Sequence, residues 1–170
     1  MDFWIVAIDH GLQLASESND SPKIRAHKDQ LEALLKAEIP KRKVRFIAEE
    51  FKIGKATVAF EMASVSNPQI RWKNISMTDA ERNAAGIKEA LNDRPGRREE
   101  GTMTWIEFRI HEDETREEFF IEQTLRGAGD AQSILMLLGD MHVDAVAEKL
   151  KKMGHSVSVN HDLFPVRRWE

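Results

Sequence analysis

Leu135-Met136-Leu137-Leu138-Gly139-Asp140-Met141-His142 is the stretch whose reading decides the fold. An apolar run of strand length breaks at a glycine into polar residues. A helical pattern then carries Val143, Val146, Ala147 and Leu150 to Gly154, and a second strand pattern follows at Ser156 to Val159. A continuous apolar run suits a strand covered on both faces. Two other apolar runs end the same way: Phe3 to Ile8 gives way to Asp9-His10-Gly11, and the run through Phe46 to Ala48 gives way to Glu49-Glu50. In parallel strands, all three sets of ionisable groups fall at carboxyl ends, where open α/β sheets place their ligand sites.

Outward from these runs the pattern alternates. Strands are predicted at Phe3 to Ile8, Val44 to Ala48, Ile70 to Ile75, Ile134 to Leu138 and Ser156 to Val159. Helices are predicted from Ser21-Pro22 to Pro40, from Ala56 to Ala63 with Asn67-Pro68 as terminator, and from Asp79 to about Leu91. The last of these opens with the capping-box pattern Thr78-Asp79-Ala80-Glu81. Two more follow at Glu112 to Leu125 and His142 to Met153, whereas Thr102 to Ile110 reads equally as strand or helix. The expectation is an α/β fold: a single three-layer domain over 1–170, with a mainly parallel sheet of about five strands, helices on both faces and right-handed crossovers. Residues 93–101, rich in proline, glycine and charge, read as an exposed loop, and 160–170 as an irregular tail.

Composition narrows the function classes. The 170 residues, 41% hydrophobic and 32% charged, suit one globular domain. A formal net charge of -4 gives no general attraction to nucleic acid or anionic membrane. The absence of cysteine removes thiolate chemistry and disulfides, and the absence of tyrosine removes one acid from any mechanism. The first apolar segment is too short to span a bilayer and lacks a basic leader, so a cytoplasmic protein is expected. No Gly-x-Ser-x-Gly elbow occurs, and Gly127-Ala128-Gly129 lacks the helix that follows a phosphate loop. The four tryptophans are dispersed, which disfavours a nucleic-acid stacking platform, and Lys41-Arg42-Lys43-Arg45 reads as a solvated turn.

Asp9, His10, Glu49, Glu50, Asp140 and His142 combine two imidazoles with four carboxylates. Such a set suits a divalent metal (Mn, Co, Zn or Fe), with Asp9, His10, Glu49, Asp140 and His142 as the expected ligands. The same groups also suit metal-free proton transfer by a histidine that a carboxylate orients. Successive strand side chains point oppositely, so one of Glu49 and Glu50 is expected in the site; Glu49 is preferred as nearer the strand. Arg116 is expected to anchor an anionic substrate or steady a carboxylate, with a solvated helix charge as the commoner alternative for such a residue. His27, His111, His155 and His161 are read as surface or packing residues.

Gly139-Asp140-Met141-His142, with the following helix, Gly154 and strand, resembles the second Gly-x-x-His segment of the Tiki/TraB, ChaN-like and erythromycin esterase-like superfamily. Ala7-Ile8-Asp9-His10-Gly11 resembles its first copy, with Ala7 in place of glycine and Asp9 one position after the usual acidic residue. Ala80-Glu81-Arg82, Gly86-Ile87, Arg116-Glu117-Glu118, Leu138-Gly139 and His142-Val143 are similar to a set of short bacterial proteins related to that superfamily. The resemblance implies a hydrolase-like fold, in a superfamily that includes metal-dependent peptidases, esterases and haem-binding proteins.

The leading expectation is therefore hydrolysis of an ester or amide in a small-molecule or peptide substrate, with His10, Glu49, Arg116 and His142 as catalytic residues. A non-catalytic protein that binds a small ligand or metal is the alternative. A third reading is an interaction module whose 93–101 loop and Trp169, beside Arg167 and Arg168, meet a partner or a second copy of the chain. Neither nucleic acid nor membrane is expected as a partner.

Overall fold

The computed structural model describes residues 1–8, 13, 22–51, 56–87 and 105–163. The expected loop at 93–101 and the first motif at Asp9-His10 lie outside the described residues, as do residues 164–170 of the expected tail.

Among the described residues, five strands form one all-parallel sheet in the order β3-β2-β4-β1-β5. They are β1 (Asp2–Ile8), β2 (Phe46–Glu49), β3 (Arg71–Asn74), β4 (Ser133–Gly139) and β5 (Ser156–Asn160). Among the described residues, helices run over Pro22–Lys41 (α1), Val58–Glu61 (α2, continued by a π-helical turn over Met62–Ser66), Asp79–Ala84 (α3), Trp105–Ala128 (α4) and Asp140–Lys152 (α5). This is the expected α/β class. β4 lies at the centre of the sheet, with Leu135 to Leu138 fully buried between β1 and β2.

Alternation along each strand sorts the core into two layers. Phe3, Ile5, Ala7, Phe46, Ala48, Ile134, Met136 and Leu138 face Phe120 of α4 and Val143 and Val146 of α5. Trp4, Val6, Ile8, Ile47, Leu135 and Leu137 face Leu31, Leu35 and Ile39 of α1 and Val58 and Ala59 of α2. Each buried large side chain contributes about 1.5–3 kcal/mol, so the two layers together supply most of the driving force. Crossovers of one hand explain the division. The helices that join strands one way along the sheet, α1 between β1 and β2 and α2 between β2 and β3, lie on one face; α4, between β3 and β4, and α5, between β4 and β5, lie on the other. The chain therefore crosses to opposite faces after the adjacent strands β2 and β4, and open α/β sheets commonly bind ligands at the carboxyl ends of such a strand pair.

Several boundaries differ from the sequence reading, each for a local reason. The helix expected from Asp79 to about Leu91 stops at Ala84, because Gly86 adopts φ 74° and the Ile87 amide closes back on the Arg82 carbonyl at 2.9 Å. The ambiguous Thr102 to Ile110 segment is helical from Trp105 and joins Glu112 to Leu125 in a single helix, α4. α5 begins at Asp140, two residues before the expected start. Gly127, in the last turn of α4, is there for close approach: a Cβ would stand 2.6 Å from the Phe46 ring.

The capping box at Thr78 forms as expected. The Thr78 hydroxyl accepts from the Glu81 amide at 3.2 Å, and the Glu81 carboxylate accepts from the Thr78 amide at 2.8 Å. The donors of Thr78 hold the Glu81 carboxyl below its ordinary value of 4.5. A depressed carboxylate stabilises the fold above the unfolded-state value and loses that contribution as pH falls through its folded value. Thr78→Ala is expected to cost about 1 kcal/mol in urea unfolding at pH 7, and less at pH 3. An equal cost at both pH values would contradict this account of Glu81. Among the described residues, no helix is long and apolar enough to cross a membrane.

Candidate functional site

Glu50 follows β2 and keeps its ladder bond, its amide donating to the Leu137 carbonyl at 2.9 Å. By alternation from Phe46 and Ala48 its side chain lies on the α4 and α5 face. There its Oε1 accepts from Arg116 Nη2 at 2.7 Å and its Oε2 from the Gly139 amide at 2.9 Å. Arg116 and Phe120 stand one turn apart on α4, with the guanidinium 5.7 Å from the Phe120 ring centre.

His142, on the first turn of α5, is 5% exposed and sits between two carboxylates. Its Nδ1 is 3.4 Å from Glu117 Oε1, and its Nε2 is 3.9 Å from Glu50 Oε1. Phe120 closes one side, its ring edge-on to the imidazole at 5.4 Å. The other Glu117 oxygen accepts from Lys149 Nζ at 3.0 Å. Arg116, Glu50, His142, Glu117 and Lys149 thus form a continuous file in which nitrogen-bearing side chains alternate with carboxylates. Among the described residues, the buried Nε atom of Arg116 has no hydrogen-bond partner. A buried unpaired donor is costly, and an oxygen supplied by a ligand or water would satisfy it.

Glu49 occupies a different site. Its Oε2 accepts from Thr57 Oγ1 at 2.6 Å and Trp72 Nε1 at 2.7 Å, and its Oε1 accepts from Gln13 Nε2 at 3.0 Å. This is the α1 and α2 face, as the parity of Ile47 and Glu49 requires. The preference for Glu49 over Glu50 as the companion of His142 and Arg116 is therefore corrected. Proximity to the strand did not decide it; the face on which α4 and α5 pack did.

Asp140 also stays outside the file. It faces His161, with Oδ1 3.1 Å from Nδ1, while the other ring nitrogen of His161 lies 3.3 Å from Asp144. The described members of the expected metal set, Glu49, Asp140 and His142, serve three separate groups of contacts, and its other members, Asp9 and His10, lie outside the described residues. Among the described residues, no group of three or more His, Asp or Glu side chains is placed to hold a metal ion.

His161 ties the end of β5 to α5, and His155 packs against Phe3 with ring centres 5.1 Å apart, both in keeping with packing roles. Glu117 and Lys149 were missed as site residues. The signal for Lys149 was its spacing: it lies seven residues after His142, two turns along one face of α5. Glu117 adjoins Arg116, and nothing in helical periodicity alone points it at an imidazole from another element. No protein-family profile, curated protein or solved structure matches this chain.

Proposed function

We propose that the protein is a small hydrolase acting on an ester or amide, with His142 as the general base. The observation that carries this reading is the burial of His142 between Glu117 and Glu50 at the end of the central strand. Glu117 faces Nδ1, which leaves Nε2 for proton transfer and balances the charge that arises when Nε2 takes up a proton. Water attacks the carbonyl carbon, Nε2 receives its proton, and that proton passes to the leaving group as the carbon–heteroatom bond breaks. Arg116, whose Nε has no partner among the described residues, supplies a donor for the oxygen on which negative charge develops. The resemblance of Gly139-Asp140-Met141-His142 to the Gly-x-x-His segment of the esterase-containing superfamily supports the same direction.

Hydrolysis of p-nitrophenyl acetate, with a panel of short-chain esters and anilides, tests the proposal. His142→Ala is expected to lower kcat/KM by about 10²–10⁴-fold with the circular dichroism spectrum retained. Glu117→Gln should lower kcat more than it raises KM and should alter the pH profile. Wild-type protein inert on the whole panel, or a His142→Ala variant as active as wild type, would sink it.

A non-catalytic small-ligand protein is the second reading. It is favoured by the extent to which Glu50 and Glu117 are satisfied by neighbours within the file. Ligand-dependent stabilisation without turnover would support it over hydrolysis.

A further inference from the structure

The opposite, amino-terminal edge of the sheet carries a cavity of about 580 Å³, lined among others by Asp2, Arg42, Lys43, Arg45, Arg71 and Asp130. Four cations therefore face one space against two carboxylates, in a chain whose formal charge is -4. Two of the four have structural work. Arg71 donates to the Gly127 and Ala128 carbonyls at 3.3 and 2.5 Å, capping the carboxyl end of α4. Arg42 lies 4.8 Å over the Trp4 ring and donates to Glu38 at 2.8 Å and to Ser158 at 3.1 Å.

The other two lack such an account. Arg45 donates to a neutral atom, Gln69 Oε1, at 2.7 Å. No hydrogen bond or ion pair joins the Lys43 side chain to another described residue. Lys43 also holds φ 54° at the stop of α1, where its amide closes on the Pro40 carbonyl at 3.1 Å and the Val44 amide on Ile39 at 3.0 Å. Glycine is the usual residue at this left-handed position, and a side chain there costs local stability. Backbone conformation gives no reason for a lysine, whereas charge at the cavity does. The sequence reading of Lys41 to Arg45 as a solvated turn leaves this convergence with Arg71 unexplained.

We propose that this cavity binds a small anion bearing a diphosphate group. Its volume lies within the range of small-molecule sites. Guanidinium forks match phosphoryl oxygens, and the excess of two positive charges calls for a ligand of at least that negative charge. A second cavity of about 340 Å³ shares Asp2, Arg42 and Ser133 with the first and continues past Phe3 and Trp4 to Ser156 and Ser158. That space would receive an organic group attached to the diphosphate.

Calorimetric titration with inorganic pyrophosphate and, separately, with ADP tests this in wild type, Lys43→Gly, Arg45→Gln and His142→Ala. Pyrophosphate should bind wild type with an affinity that weakens as salt is raised. Lys43→Gly and Arg45→Gln should each weaken binding about tenfold, the loss expected for one charge-assisted hydrogen bond. His142→Ala should bind as wild type does. Lys43→Gly should melt at or above the wild-type temperature, so weaker binding cannot be assigned to unfolding. ADP tighter than pyrophosphate would identify an organic diphosphate, and equal affinities the diphosphate alone. Absence of binding at millimolar pyrophosphate and ADP, unchanged affinity in both cavity variants, or binding confined to a single-stranded oligonucleotide would overturn the proposal.

Discussion

Leu137→Asp is expected to leave the chain unfolded at neutral pH. Leu137 is fully buried on β4, the strand that pairs with both β1 and β2, and it packs in the layer under α1. Loss of a buried leucine costs about 2–5 kcal/mol, and a carboxylate without a partner there adds several more. Domains are commonly stable by about 5–15 kcal/mol, so the sum is comparable with the whole. Far-ultraviolet circular dichroism and amide dispersion in NMR would report the loss. A variant with native dispersion and near-wild-type urea midpoint would disprove the central position of this strand.

The second large effect is at Glu50. Glu50→Ala strands the Arg116 guanidinium, whose side chain is 16% exposed, and leaves the Gly139 amide without its acceptor. Breaking a buried pair from one side costs about 3–5 kcal/mol. Glu50→Leu combined with Arg116→Met removes both charges and should recover a large part of that loss, because the cost lies in the unpaired charge. Urea denaturation of Glu50→Leu, Arg116→Met and the double variant measures the coupling. Strict additivity of the two losses would show that the ion pair does not bear on stability.

The fold class was legible because parallel strands buried on both faces write themselves as continuous apolar runs. Leu135 to Leu138 and Phe3 to Ile8 did so, and the helical spacing of Val143, Val146, Ala147 and Leu150 marked the crossover between them and β5. His142 and Arg116 were legible as candidates because each stands where a strand end or a quoted motif drew attention. Choosing between Glu49 and Glu50 was not a local question. Period two says that they diverge, but the face that receives α4 and α5 depends on strand order, and strand order is set by packing between segments far apart in the chain. Glu117 was hidden for the same reason: its partner, His142, is 25 residues away on another helix. The helix end at Ala84 was hidden by a single glycine whose left-handed conformation no periodicity announces.

The division of Glu49 and Glu50 between two faces makes the end of β2 sensitive to length in an unusual way. Inserting one residue between Ala48 and Glu49 would carry Glu49 into the place of Glu50, so Arg116 and the Gly139 amide would still meet a carboxylate. Thr57 and Trp72 would lose theirs to whatever residue was inserted. Identical neighbours thus act as a spare for one face and leave the other without cover. A one-residue insertion library at this point would separate the two polar networks genetically, with no substitution at any residue of either.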